Sequence, residues 1–268
     1  MGKTFPVIKI RLFSGQQPLR PRIASTPGER AVDAANLLPP CPRTLPTLRR
    51  LEMAEADDKT PPSAAPFVPK TRSIEALRRA ARDCQGCALY RNATQTVFGE
   101  GASHARVLLV GEQPGNDEDL EGRPFVGPAG RVLDEGLAAA GIDRAEAYVT
   151  NVVKHFKWEP RGKRRMHSKP NLREIDACFP WLEREIALLR PQLIVCLGAT
   201  AAQALLGRDF RVTRQRGQPV ASPLAPQVVA TIHPSAILRQ RTHEDRQREM
   251  DAFIADLTIA AGLIAPGK

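Results

Sequence analysis

The sequence has no long apolar stretch. No segment of its 268 residues approaches the roughly 18 consecutive apolar residues that a transmembrane helix needs. The N-terminal segment also lacks the apolar core of a secretory signal peptide. These absences argue against a membrane or secreted protein, and we expect a cytoplasmic one.

Cysteine is scarce, with five residues in the whole chain. Disulfides are rare in a reducing cytoplasm, so a fold stapled by disulfides is not expected. The five cysteines are better explained as metal ligands or free thiols.

Negative charge is also in short supply, since the formal net charge is +10. A basic chain favours a polyanionic partner, nucleic acid first of all. Residues 1–52 carry nine Lys or Arg against three Asp or Glu, which leaves only +4 for the rest of the chain. The remainder is therefore only mildly basic.

Proline divides the chain unevenly, because residues 1–70 hold 12 of the 24 prolines. This part shows no sustained hydrophobic period, which is typical of disorder. We therefore predict a disordered, basic, proline-rich extension over 1–70 and one folded domain over 71–268. Order should begin near Ser73, a good helix N-cap, and place Cys84 on a buried helix face.

Within the folded part, strand patterns alternate with helix patterns, which predicts an α/β fold. We expect a three-layer sandwich, with a central, mostly parallel four-stranded sheet flanked by helices. The predicted strands are RVLLVGE (106–112), AYVTNVVKH (147–155), LIVCLG (193–198) and VVATIHP (228–234). Ligands of such sheets bind at the carboxyl ends of the strands, here GEQPG, TNVVKH, LGAT and HPS.

Four cysteines fall in the folded part, namely Cys84, Cys87, Cys178 and Cys196. The first two form a C-x2-C motif, and four thiolates are the number that a [4Fe–4S] cluster or a zinc ion needs. Cys178 and Cys196 are equally typical of small core residues. Cys41 lies in the extension and is not expected to bind the metal.

Polar and aromatic residues follow the predicted strands. Glu112 and Gln113 come directly after the first, and the Gln113 amide offers a donor and an acceptor that suit the edge of a nucleobase. Phe125 is positioned to stack on a base, while Asn151 and His233 end two further strands. Each residue taken singly is also typical of a turn, a cap or the core.

A basic run, EPRGKRRMHSKP, occupies residues 159–170. Proline and glycine at its ends predict a loop. A solvated surface turn would explain the cations equally well. The run also contains His167, two residues after the last of its three consecutive cations.

Taken together, GEQPG, GRPFVGPAG, TNVVKH, the four cysteines and TIHPS resemble the iron–sulfur branch of the uracil-DNA glycosylase superfamily. The resemblance covers roughly residues 73–262. GEQPG, where family 4 usually has GEAPG, together with KRRMH resembles the UdgX type of that branch. KRRMH differs slightly from the usual KRRIH, and Asn116 stands where an aspartate is expected.

The resemblance implies that uracil lies against Phe125, with its edge read by Asn151 and Gln113 and its O2 facing His233. It also implies that His167, assisted by Glu112, attacks the sugar C1′ and links the protein covalently to DNA. The other implied contacts are with DNA, through Lys163, Arg164, Arg165 and Ser235, and with a [4Fe–4S] cluster, through Cys84, Cys87, Cys178 and Cys196.

We expect a monomer with uracil-containing DNA as its partner, preferably single-stranded, because unpairing a base costs about a few kcal/mol. Two alternatives remain at this point. One is an ordinary glycosylase of the family 4 kind that turns over, and the other is a metal-stapled nucleic-acid-binding module without catalysis.

Overall fold

The structure, a computed structural model, describes residues 62–264. Its main sheet has six strands in the order β1-β3-β2-β6-β8-β7, and a separate hairpin contains β4 and β5. The strands are β1 (Glu100–Gly101), β2 (Val107–Gly111), β3 (Ala147–Asn151), β4 (Trp158–Arg161), β5 (Arg164–His167), β6 (Leu193–Leu197), β7 (Val220–Ser222) and β8 (Ala225–Thr231).

The four inner strands of the sheet, β3, β2, β6 and β8, are parallel, as predicted. The predicted number of strands is wrong, because β1 and β7 add an antiparallel strand at each edge. Each of these edge strands is only two or three residues long. So short a segment carries no readable alternation of apolar and polar residues.

The helices are α1 (Ile74–Ala81), α2 (Asn116–Glu121), α3 (Pro128–Ala139), α4 (Leu172–Leu189), α5 (Ala199–Leu206), α6 (Val212–Gln215), α7 (Pro234–Leu238) and α8 (His243–Gly262). One apolar core contains residues of α1, α4 and α5, and a second contains residues of α3, α7 and α8. In β2, Leu108 and Val110 join the first core, while Val107 and Leu109 join the second. Alternate side chains of a strand point to opposite faces, so this division confirms the three-layer sandwich.

Helix ends follow the sequence signals. The Ser73 hydroxyl accepts a hydrogen bond from the amide of Ala76 and caps α1. Asn171 and Glu174 form a reciprocal capping box at the start of α4, which satisfies two amides that the helix leaves free. The helix α1 therefore begins where the sequence predicts.

The predicted extension falls largely on residues 1–61, which lie outside the described residues. Its last part, 62–70, includes a 3₁₀ helix over Ala65–Phe67 and a fully buried Ala64. The Ala64 amide donates to the carbonyl of Ala177 in α4 at 2.7 Å. Ordered structure therefore begins before Ser73.

The predicted loop at 159–170 is wrong in its central part, because residues 158–167 form an antiparallel hairpin, here called the basic hairpin. Gly162, with a φ of 60°, and Lys163 make its two-residue turn. The left-handed φ at the first turn position is what tight hairpin turns require.

Among the described residues, no helix is both long and apolar enough to cross a membrane.

Candidate active site

The carboxyl ends of the parallel strands surround a cleft of about 740 Å³, here called the sheet-edge cleft. It is lined by every predicted catalytic and base-contacting residue and by one predicted DNA contact: Glu112, Gln113, Phe125, Asn151, His167, His233 and Ser235. Lys163, Arg164 and Arg165 lie outside this lining. Parallel pairing brings these strand ends to one edge of the sheet, as the sequence predicts.

Phe125 and Asn151 form one wall of the cleft. Phe125 adopts a φ of 56°, which costs about 1–2 kcal/mol for a residue other than glycine. A Cβ at Gly111 would lie 2.7 Å from the Phe125 ring and 2.3 Å from Asn151 Oδ1. Only glycine at position 111 therefore leaves room for the Phe125 and Asn151 side chains to meet over the end of β2.

The side chain of Asn151 is almost fully buried, yet its Oδ1 has no hydrogen-bond partner among residues 62–264. Leaving a buried acceptor unpaired costs about 1–3 kcal/mol. Such an atom in the wall of a cleft is suited to a ligand that carries a donor. The N3–H group of uracil is a donor of this kind.

The backbone of Asn151 is held by a buried lysine. Lys154 Nζ donates to the Asn151 carbonyl at 2.8 Å, to Thr150 Oγ1 at 2.6 Å and to Glu185 Oε2 at 2.5 Å. Lys154 and Glu185 are both buried, and the Tyr148 hydroxyl also donates to Glu185. This paired charge fixes the end of β3.

His233 is a neutral imidazole with a defined tautomer. The amide of Ser235 can only donate, so His233 Nδ1, 3.2 Å away, is the acceptor and the ring proton lies on Nε2. Burial, together with the charges of Arg239 and His167, lowers the pKa of His233 to about 4. His233 therefore offers an N–H donor to the cleft while remaining neutral near pH 7.

His167 projects from the basic hairpin toward Glu112. Its Nε2 lies 3.4 Å from Glu112 Oε1, and its side chain is 49% exposed. The other carboxylate oxygen of Glu112 accepts a hydrogen bond from the hydroxyl of Thr200. A half-exposed imidazole beside a carboxylate is a competent nucleophile or base.

Arg165, for which a phosphate contact is predicted, is bound within the protein through Nε and Nη1. Its Nη1 lies 2.6 Å from Asp119 Oδ2, which is fully buried, and its Nε donates to Asn116 Oδ1 at 2.9 Å. Arg165 thus ties the basic hairpin to α2, and Asn116 takes part in this anchor. Lys163 and Arg164 are exposed and remain available to a polyanion.

Gln113, for which contact with a base edge is predicted, is bound to backbone groups of the protein. Its Nε2 donates to the carbonyls of Lys157 and Ser168, both at 3.1 Å, and its Oε1 accepts from the Lys157 amide at 3.2 Å. These bonds occupy both amide hydrogens. The Gln113 side chain therefore holds the base of the hairpin and leaves Asn151 as the amide that faces a ligand.

The hydroxyl of Ser235 is likewise engaged within the protein. It lies 2.8 Å from His233 Nδ1 and accepts a hydrogen bond from Arg239 at 2.9 Å. Ser235 therefore supports the ring of His233. Thr200, Lys169 and Arg239, which also line the cleft, are not among the predicted site residues. For Thr200 a signal existed, because LGAT marks a strand end.

The four predicted metal ligands are all buried free thiols. Burial raises the pKa of Cys178 to about 12, a shift that the nearby Lys154 opposes and the Cys87 and Cys84 thiols assist. Burial raises the pKa of Cys196 to about 12 as well. All four thiols belong to the same apolar core, with Cys196 in the centre of β6.

Two of the four thiols receive hydrogen bonds. Trp181 Nε1 donates to Cys84 Sγ and the Lys154 amide to Cys178 Sγ, both at 3.2 Å. Hydrogen bonds to sulfur are a feature of iron–sulfur sites, so these surroundings fit a cluster. Within residues 62–264, no three His, Cys, Asp or Glu side chains are close enough to hold a single metal ion. A four-iron cluster binds each thiolate to a different iron.

A sequence model described as the Uracil DNA glycosylase superfamily matches residues 98–258. The chain belongs to the uracil-DNA glycosylase superfamily. The type-4 uracil-DNA glycosylase of Thermotoga maritima is 39% identical over 175 residues, which cover 65% of this chain and 88% of the relative. Those of Pyrobaculum aerophilum and Archaeoglobus fulgidus are 35% and 36% identical, over 62% of this chain and 85% and 83% of the relatives. The superfamily match includes the whole sheet and the basic hairpin, and begins after Cys84 and Cys87.

Proposed function

We propose that this protein excises uracil from DNA and then binds covalently, through His167, to C1′ of the abasic sugar. Membership of the superfamily and similarity to type-4 uracil-DNA glycosylases support the excision. The observation that carries the covalent step is the placement of His167 3.4 Å from Glu112 in the same cleft as the base-binding residues.

Excision requires a pocket that stabilises the departing base. In our proposal uracil stacks on Phe125 and donates its N3–H to the unpaired Oδ1 of Asn151. As the bond between C1′ and N1 breaks, its electron pair moves to uracil, and the Nε2–H of His233 donates to the charge on O2. Fixed donors of this type contribute about 10²–10³-fold to a rate.

Capture follows on the sugar. An imidazole nitrogen of His167 uses its lone pair to form a bond to the oxocarbenium carbon C1′, and the ring becomes positively charged. Glu112 accepts the remaining ring N–H proton, which leaves a neutral N-linked adduct. A tethered group has a very high effective concentration, so His167 outcompetes water.

A second candidate function is ordinary turnover, in which water attacks C1′ and the abasic DNA is released. It is favoured by the similarity to type-4 uracil-DNA glycosylases. In this case the basic hairpin would serve only to bind phosphates. The two functions differ in whether His167 becomes covalently bonded to C1′ of the sugar.

We further propose a [4Fe–4S] cluster held by Cys84, Cys87, Cys178 and Cys196. The cluster would join the segment after α1 to α4 and supply structural stability. For DNA, we propose that Lys163 and Arg164 contact phosphates, that single-stranded substrates are preferred, and that the protein acts as a monomer with 1–70 as a basic extension.

The test is incubation with a labelled single-stranded oligonucleotide that contains one uracil. We expect a protein–DNA band that survives boiling in detergent, and no band with the matching thymine oligonucleotide. His167→Ser should abolish the band and release free abasic DNA, because uracil still leaves. Glu112→Gln should slow adduct formation. Release of abasic DNA by the wild-type protein over many cycles, without a stable adduct, would establish ordinary turnover.

A further inference from the structure

Thr200 is the second residue of α5, and its side chain lies almost fully buried against the cleft. Its hydroxyl donates to Glu112 Oε2, so one carboxylate oxygen of Glu112 is bound to the sheet edge. The other oxygen, Oε1, is the atom that lies 3.4 Å from His167 Nε2. Thr200, Glu112 and His167 therefore form a continuous chain of contacts from α5 to the basic hairpin.

The rotation of a free glutamate carboxylate is poorly restricted, because its terminal torsion has broad minima. A hydroxyl that binds one oxygen removes this freedom and directs the second oxygen. Here the second oxygen faces the hairpin. Without the hydroxyl, the charge of Glu112 would remain but its direction toward His167 would not be fixed.

We infer that Thr200 is a positioning residue for the capture step: it holds the Glu112 carboxylate in the orientation that receives the proton of His167. This inference rests on the proposed function. Among the described residues, Thr200 forms a side-chain hydrogen bond with Glu112 and none with Asn151 or His233. The loss of its hydroxyl should therefore slow capture far more than excision.

The chain offers a matched control. Thr231 Oγ1 donates to Asp256 Oδ2 at 2.5 Å, and Thr231 is fully buried. Thr231→Val thus removes a second buried hydroxyl–carboxylate bond, but one outside the Thr200–Glu112–His167 chain. Any effect common to both valine variants reflects stability rather than the orientation of Glu112.

The experiment measures capture and excision separately, with protein in excess over a labelled uracil oligonucleotide. Adduct is quantified after boiling in detergent, and free abasic sites are revealed by alkaline cleavage. Relative to wild type, Thr200→Val should form adduct about tenfold more slowly, the effect of losing one hydrogen bond to a charged group. It should release uracil at a similar rate and give a larger share of free abasic DNA. Thr200→Ser should restore the share of adduct that the wild-type protein forms, and Thr231→Val should leave that share unchanged.

Thr200→Ala serves as a second hydroxyl-free variant if Thr200→Val does not fold, as judged by its melting temperature. An unchanged share of adduct in the folded variant overturns the inference alone, as does a Thr200→Ser protein that behaves like Thr200→Val. Absence of adduct with the wild-type protein overturns the proposed function, and this inference with it.

Discussion

Two adjacent arginines of the basic hairpin show how position decides the role of a residue. Side chains alternate between the faces of a strand, so Arg164 and Arg165 point in opposite directions. Arg165 faces the protein and contacts the rings of Phe156 and Trp158 as well as Asp119. Arg164 is exposed to solvent. The sequence KRR does not reveal this difference until the register of the hairpin is known.

We expect matched substitutions to separate these roles. Arg164→Gln should weaken DNA binding and reduce the slope of log affinity against log salt by about one, because one phosphate contact is lost. Arg165→Gln should leave this slope unchanged but lower the free energy of unfolding by about 1–3 kcal/mol, because Asp119 loses its charged partner. Fluorescence anisotropy in a salt series and thermal unfolding measure the two effects. A reduced salt slope in Arg165→Gln would contradict this assignment.

At the scale of elements, the sequence predicted the strands and helices whose apolar residues recur at a clear spacing. The four parallel strands are runs of apolar residues, and the structure confirms each of them as a strand. The basic hairpin was missed because its strands are mostly polar, with Pro160 inside the first strand and Gly162 in the turn, and both residue types usually interrupt strands. The convergence of Glu112, Asn151 and His233 was predictable from strand ends alone, since parallel strands share one carboxyl edge.

The role of Gln113 was not predictable, because a glutamine amide suits a base edge and a pair of backbone carbonyls equally well. Only the folded chain brings Lys157 and Ser168, which are remote in sequence from Gln113, to its side chain. The ion pair between Arg165 and Asp119 was not predictable for the same reason, since the two residues lie on separate elements. Sequence patterns locate strand ends, whereas contacts between separate elements depend on packing.

Gln113 holds both strands of the basic hairpin at its base, so its loss should loosen the hairpin. We expect Gln113→Ala to increase hydrogen exchange of the amides of 158–167 and to slow adduct formation, with little change in uracil release. Gln95→Ala is the matched control, because Gln95 Nε2 also donates to two carbonyls, those of Asp119 and Leu120. Unchanged exchange in the hairpin of Gln113→Ala would show that Arg165 alone anchors it.

At the scale of the whole molecule, the two cores differ in what they contain. The core with α1, α4 and α5 includes all four predicted metal ligands, whereas the core with α3, α7 and α8 has no cysteine among its described residues. A metal bound to the first core would stabilise the layer that joins the N-terminal part of the described chain to the sheet.

Iron content tests this arrangement. Purified protein should be brown and contain about four iron atoms per chain, as expected for one cluster. Cys84→Ala and Cys178→Ala should lose iron and melt at lower temperature. Cys196→Ala should lose iron as well, because a [4Fe–4S] cluster needs four ligands. Colourless wild-type protein with one zinc per chain would rule out the cluster, and full iron content in Cys196→Ala would remove Cys196 from the ligand set.

The segment from Thr150 to Lys154 joins two regions of the molecule. Its first residues end β3 and present Asn151 to the cleft, and its last residue bonds Cys178 through its amide and Glu185 through its side chain. Breaking the buried ion pair would leave an uncompensated charge, at a cost of about 3–5 kcal/mol. We therefore expect the Asn151 wall of the cleft and the surroundings of the Cys178 thiol to unfold together, as one cooperative unit.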